Sequence, residues 1–413
     1  APSFITATTD VGLNGYFAFD GNGAPMIKGT QPIHFTLVIP SRAVPLDAAN
    51  PLPIVLFVPG LSQPRHVAYG FADDLAARGI GVLSIELLFH GDRNHSARDL
   101  NNNTSGASVP DGVGDDLGQV PALQYLAAAA MGPGTYAFDA ALARDDLRQS
   151  IADWWMLSRF ARQGDFTAIQ AGDAGLATLT LRTDRLPAVA VKLAMPTLLV
   201  AASLDPHLTA LAGSQPAGGM LYPFFLYSPV YAVQFIPIFG SLYNVQTEIA
   251  ANPELHPITT IYQQIYEPAD PLALLSGPPQ QHTFFVQPFG DEEAANQSEE
   301  LVERVMSIPA LGGGNYRYQP LMTGTLPATG NVTTSSGALT LGVVAYTPAT
   351  WDLLLKRQSI ENYMPDFPPF VPIPGGSGMT ITNDIQNAHN QLLTFIQTHF
   401  ESTDGIPTIP AKQ

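Results

Sequence analysis

Apolar residues along this chain fall into continuous runs and helically spaced stripes, and the alternation of the two outlines an α/β protein. Ile54-Val55-Leu56-Phe57-Val58 is an unbroken apolar run, as expected of a parallel strand buried on both faces. The segment after it places Val67, Phe71 and Leu75 on one helical stripe and ends at Arg78-Gly79, a cationic last turn with glycine just past the helix end. Residues 82–88 form a second buried run. Strand, helix and strand at this spacing predict a βαβ unit.

The flanks follow the same logic. Tyr16-Phe17-Ala18-Phe19 and His34-Phe35-Thr36-Leu37-Val38-Ile39, with the turn cluster Asp20-Gly21-Asn22-Gly23 between them, predict an antiparallel start within residues 12–41. A long loop rich in Asn, Asp, Ser and Gly runs from His90 to about Leu117. Arg144-Asp145-Asp146-Leu147 opens a helix with Leu147, Ile151, Trp154 and Trp155 on one face. A strand over 188–191 precedes a helix over 196–203. Residues 209–265 are aromatic and broken by proline, and read as a lid inserted into the core domain. A buried strand over 283–287, a helix over 298–305 and a last strand over 339–346 follow. Asn383-Asp384 then caps a final helix carrying Ile385, Leu392, Leu393, Ile396 and Phe400. No repeat or linker divides the chain. The expectation is one α/β domain over 1–413, a mostly parallel sheet flanked by helices, with antiparallel N-terminal strands and the lid at 209–265.

Composition narrows the partners. Hydrophobic residues make up 46% of the 413 and charged residues only 13%, which suits a compact globular chain. A net charge of -17 argues against nucleic acid or an anionic membrane, since both need a basic surface. No cysteine is present, so disulfides and thiolate metal sites are excluded. The apolar run 220–239 contains Pro223, Pro229 and Pro237, which would break a membrane-spanning helix. The start Ala1-Pro2-Ser3, together with abundant Pro, Gly, Thr and Asn, fits a mature exported bacterial protein: secreted, periplasmic or at the cell surface.

The chemistry centres on Lys192. The stretch Ala190-Val191-Lys192-Leu193-Ala194 follows a short apolar strand and precedes a helix start. A nucleophile elbow there would read G-x-S-x-G, with small residues around a serine on a strained turn. The small flanking residues are kept and the serine is replaced. No Walker loop, dinucleotide-binding glycine pattern or H-E-x-x-H site is present, so no cofactor or metal is expected. The Asn101-Asn102-Asn103 and 111–116 loop lacks the EF-hand spacing and reads as solvated loop.

Four further patterns carry a resemblance to a family. Phe57-Val58-Pro59-Gly60-Leu61 resembles an oxyanion-loop G-H-G-L. Phe89-His90-Gly91-Asp92-Arg93 resembles H-G-D-R. Asp146-Leu147-Arg148-Gln149-Ser150-Ile151-Ala152-Asp153 resembles N-L-R-Q-x-x-x-D, and Phe289-Gly290-Asp291 with Asn296 resembles the turn that bears a catalytic acid. In this order they resemble α/β-hydrolases, specifically large secreted bacterial esterases or lipases of the virulence-factor-lipase type. The resemblance implies a Ser-His-Asp site at Lys192, Trp351 and Asp291, with an oxyanion loop at Pro59, Gly60 and Leu61. Only Asp291 matches. Pro59 stands for histidine, and the turn Pro348-Ala349-Thr350-Trp351-Asp352 has tryptophan in the histidine's place. No histidine occurs between His282 and His389.

Acyl transfer needs an activated hydroxyl, a base and an acid that orients the base. The leading expectation is therefore a catalytically degenerate homologue acting as a binding or structural protein. It includes a Lys192–Asp291 contact, with Trp351 filling the vacated imidazole space. Tyr222, Phe225, Tyr231 and Phe235 on the lid are candidate contacts for a hydrophobic small molecule or another protein subunit. One alternative is an ester hydrolase using Lys192 or a relocated serine such as Ser203 or Ser214. Another is a subunit of an extracellular assembly. His90, His389 and His399 read as structural.

Overall fold

A computed structural model describes residues 2–3, 16–30, 32–41, 45–60, 63–88, 90, 93, 125, 130–131, 135–136, 139–221, 256–288, 296–311, 331–334, 337–346 and 383–410. Eight strands of the central sheet are β1 (Thr36–Val38), β2 (Leu52–Val58), β3 (Gly81–Ser84), β4 (Pro187–Val191), β5 (Ala210–Ser214), β6 (His282–Pro288), β7 (Asn331–Thr334) and β8 (Gly337–Tyr346). Their spatial order is β7-β8-β6-β5-β4-β2-β3-β1, and the two-residue strand Leu181–Arg182 pairs with the start of β2. The interior pairings are parallel; β1 against β3 and β7 against β8 are antiparallel. A mostly parallel sheet in this order, helices on both faces, is the α/β-hydrolase fold. The chain leaves β2 in one direction for β3 and later returns on the other side of β2 as β4. That reversal makes a crevice at the carboxyl ends of β2 and β4, where open α/β sheets bind ligands.

Side-chain alternation divides the core into two layers. Ile54, Leu56 and Val58 of β2 face one layer, with Leu147, Ile151 and Trp154 of α2 (Ala140–Gln163) and Leu198 and Leu199 of α3 (Ala194–Leu204). Val55 and Phe57 face the other, with Phe71 and Leu75 of α1 (Tyr69–Ala76) and Leu392, Phe395 and Ile396 of α6 (Asn383–Glu401). Helices α4 (Pro257–Tyr266) and α5 (Asn296–Val305) complete the first layer.

Several boundaries differ from the sequence expectation. Tyr16–Phe19 does not pair with the 34–39 segment. The Asp20 turn instead closes a tight hairpin with one Phe19–Pro25 bridge, its Oδ1 accepting from the Asn22 and Ala24 amides; Thr36–Val38 pairs with β3. The 82–88 run is a strand only as far as Ser84. Helix α2 starts four residues before Arg144, because Asp139 caps it through the Ala141 and Leu142 amides at 3.0 and 3.1 Å. Trp155 is 37% exposed and off the buried stripe, though its indole N–H reaches the Ala201 carbonyl at 2.9 Å.

The largest correction concerns the insertion. Residues 210–214, expected within the lid, form the central strand β5, and 257–266 form helix α4 against α2. Ala210-Leu211-Ala212-Gly213-Ser214 hides its strand character in mostly small side chains, and at one position the sheet requires it: a Cβ on Gly213 would lie 2.0 Å from the Ala190 carbonyl oxygen and 2.8 Å from Met195 Sδ. Residues 222–255 lie outside the described residues.

Candidate functional site

Strand β4 ends at Val191, and α3 begins at Ala194. Lys192 makes the corner with φ 53, a left-handed conformation that costs an ordinary residue about 1–2 kcal/mol. Its carbonyl already accepts the Met195 amide at 3.0 Å, so the chain passes from strand to helix within a single turn. This is the backbone of a nucleophile elbow, with a lysine at its apex. Lys192 is 7% exposed, between fully buried Val191 and Leu193.

The loop after β2 lies directly against it. A Cβ on Gly60 would come within 2.8 Å of Lys192 Cβ and 3.1 Å of Lys192 Cδ and the Val191 carbonyl oxygen. Gly60 is thus required by close approach, and the lysine stem runs along the oxyanion-loop equivalent. Pro59 and Gly60 are buried. The Gly60 N–H donates to Gln63 Oε1 at 3.1 Å, and the Gly60 carbonyl accepts the Gln63 amide at 3.2 Å. Gln63 therefore fixes this turn, a role that no motif signals. The neighbouring strand ends in the same way: Ser214 pairs with Val191, and Gln215 after it has φ 60. Two of the three non-glycine residues in the left-handed region among the described residues therefore lie at this sheet edge, the third being Ser307, and such strain gathers at functional sites.

Among the expected site residues, the structure brings together Lys192, Pro59 and Gly60. Leu61, Asp291, Trp351, Tyr222, Phe225, Tyr231 and Phe235 lie outside the described residues, as does the 94–117 stretch of the Asn- and Asp-rich loop. Ser203 lies on the exposed side of α3, its hydroxyl donating to the Val200 carbonyl at 2.8 Å. Ser214, expected in a loop, is a buried strand residue.

Two of the resembling motifs meet beneath the site. Arg93 and Asp153 form a buried ion pair at 2.8 Å, with side chains 2% and 4% exposed. Gln149 Nε2 donates to the other Asp153 oxygen at 3.0 Å, and Arg93 Nη1 also donates to the Glu86 carbonyl at 2.9 Å. Glu86 accepts from the Arg65 side chain at 2.9 Å. His90 braces the same turn, donating through Nδ1 to the Leu88 carbonyl at 2.7 Å; burial pulls its pKa down to about 4. A neutral, inward-held imidazole is a support for this loop.

The helix α6 histidines are also tied down. His389 bonds Asp74 at 2.8 Å. His399 bonds the Gly405 carbonyl through Nδ1 at 2.6 Å and Thr209 Oγ1 through Nε2 at 2.8 Å. Thr209 precedes β5, so His399 sits at the amino edge of the sheet. A five-residue strand, roughly 17 Å of chain, separates that edge from the one carrying Lys192. His399 is no base for this elbow. Among the described residues, no group of three or more His, Cys, Asp or Glu is placed to hold a metal ion, and no helix is long and apolar enough to cross a membrane.

No protein-family model matches the chain, and no curated protein matches it. Solved structures similar to it include a 2,6-dihydroxy-pseudo-oxynicotine hydrolase at 11% identity and TM-score 0.41, covering 96% of this chain and 70% of that one. A Saccharomyces cerevisiae monoglyceride lipase matches at 11% identity and TM-score 0.38, covering 88% and 97%. Acetyl xylan esterase 1 from a Thermoanaerobacterium matches at 13% identity and TM-score 0.38, covering 65% and 68%. At these identities the likeness carries nothing about the chemistry of Lys192.

Proposed function

We propose that this chain is a catalytically degenerate, lipase- or esterase-like α/β-hydrolase that acts as a binding or structural protein. The observation that carries the reading is the lysine at the elbow apex, its stem packed on Gly60. A hydrolase needs a hydroxyl at that point, facing open space in front of the oxyanion loop. Here an aliphatic stem runs along that loop, and the chain between His282 and His389 contains no histidine to act as base. Losing nucleophile and base together removes nearly all the triad's contribution, because the two act as a unit.

In this reading Lys192 pairs with Asp291, directly or through one water, and Trp351 fills the space of the lost imidazole. A buried ammonium needs an acceptor, and Asp291, shortly after β6 in the sequence, is the acid that the resemblance implies for this site. Asp291→Asn then leaves a buried cation with weakened compensation and destabilises the protein by roughly 3–5 kcal/mol, while Lys192→Met with Asp291→Leu recovers most of the loss. Denaturant unfolding of the two variants measures both. Exported, bacterial and virulence-factor-lipase type remain parts of the proposal. So does a lid built from residues 222–255, whose aromatic residues would offer apolar contact to a hydrophobic molecule or a second subunit.

A fluorophosphonate probe tests the reading, since it labels only activated hydroxyls. The protein is expected to stay unlabelled under conditions that fully label an active serine esterase. Stoichiometric labelling at Ser203, Ser214 or any other serine would replace this reading with that of an enzyme whose nucleophile has moved.

A further inference from the structure

Three glutamates on α5, Glu299, Glu300 and Glu303, are buried. Both carboxyl oxygens of Glu303 are enclosed and make no hydrogen bond. An ionised carboxylate there would be a buried charge without compensation. Burial, and secondarily the neighbouring Glu300, push its pKa up to about 8. The side chain therefore holds a proton at neutral pH.

The helix that carries it is seated on the edge of the candidate site. Ser298 Oγ accepts the Gly218 amide at 2.9 Å and donates back to the Gly218 carbonyl. Val302 lies so close that a Cβ on Gly218 would be 2.7 Å from its Cγ2. Beyond Gly218, the Gly219 and Met220 amides donate to Asp270 at 2.8 and 2.7 Å. This is the loop that leaves β5 through Gln215, next to the Lys192 corner. Helix α5 also follows the 289–295 stretch that contains Asp291.

We propose that α5 is a latch held shut by the proton on Glu303: losing that proton unseats the helix from Gly218 and loosens the loop after β5. The charged groups around it offer little relief among the described residues. On α5 itself stand Glu299, which accepts from Asn296 at 2.8 Å, Glu300 and Arg304. The Pro271–Leu274 turn packed against α5 has no ionisable side chain, and its cap Asp270 is committed to backbone amides and Gln263. On β6 the titratable group is His282, at the far amino end. Ionisation thus adds negative charge beside two other buried carboxyl groups, and the simplest way to solvate it is to lift the helix. The latch works whether or not Lys192 is catalytic.

Hydrogen exchange followed by mass spectrometry at pH 6 and pH 9, corrected for the intrinsic rate of exchange, tests it. Peptides covering 296–305 and 215–221 are expected to open roughly a hundredfold more at pH 9 than at pH 6, since the ionised fraction of a group titrating near 8 rises from about 1% to about 90% between them, while peptides from β4 stay unchanged. Glu303→Gln keeps the shape and removes the titration, so both peptides should then exchange alike at the two pH values; Glu303→Met gives the same comparison if the glutamine variant does not fold. A wild-type protein with no step between the two pH values, or a step that survives in the glutamine variant, would overturn the proposal.

Discussion

Gly60 and Lys192 show how one residue dictates another at this site. Any side chain at 60 would enter the volume of the lysine stem, with 2.8 Å between the two Cβ positions, so Gly60→Ala is expected to destabilise the fold by about 1–3 kcal/mol, measured by denaturant unfolding. Pairing it with Lys192→Gly should recover much of the loss, since that change removes the opposing Cβ and relieves the left-handed strain. A second residue-scale prediction concerns Asp146, which is fully buried with both oxygens lacking partners. Burial, then Asp145 and Asp139, raise its pKa well above the ordinary value of 3.8. A raised carboxyl favours the folded state fully only below its unfolded pKa, and that contribution drains away as pH rises towards the folded one. Asp146→Asn, which restores the amide of the resembling motif, should therefore raise the melting temperature at pH 7 and leave it nearly unchanged at pH 4. Equal shifts at both pH values would mean that Asp146 is not held neutral.

At the scale of elements, legibility followed side-chain size and solvent contrast. The buried strands β2 and β6 announce themselves as unbroken bulky runs, and the α1 stripe of Phe71 and Leu75 is equally plain. Strand β5 does not, because Ala190 and Met195 leave no room for a side chain at Gly213 and its other residues are mostly small; such a strand looks like loop. Gly213→Ala is accordingly predicted to cost at least about 3 kcal/mol, or to abolish soluble expression. The elbow was readable because its small flanking residues, Ala190 and Ala194, survive around the lysine. The Arg93–Asp153 pair was not, since two quoted motifs reveal a contact only once α2 lies across the loop after β3. The same holds for Glu303: a glutamate on a helix reads as solvated until packing encloses it. Arg93→Met should destabilise by about 3–5 kcal/mol, the cost of leaving Asp153 buried without its cation, with part recovered by adding Asp153→Leu; urea titration of the single and double variants measures the coupling.

For the whole molecule, burial sets opposing pH limits. His90, His282 and His399 are each lowered to about 4, chiefly by burial. The stability tied to them is present above the ordinary value of 6.5 and is lost as pH falls through 4. Glu303, raised to about 8, and Asp146 have the opposite sign and lose their contribution as pH rises. Of these five buried groups among the described residues, three act on the acid side and two on the alkaline side, so their combined contribution is expected to fall away on both sides of about pH 6.5. Glu303→Gln should flatten the alkaline limb and steepen the acid one, because the glutamate's contribution drains from its unfolded value of 4.5 up to about 8 and so opposes the histidines over part of their range; a series of melting curves from pH 4 to 9 would show both.

The central claim is that an α/β-hydrolase fold here carries a lysine where acyl transfer needs a hydroxyl. The most direct test is the rate of hydrolysis of a short-chain p-nitrophenyl ester by the purified protein beside its Lys192→Ala variant. The account predicts that both rates equal the buffer background. Turnover by the wild-type protein that vanishes in Lys192→Ala would contradict it and make Lys192 a catalytic residue.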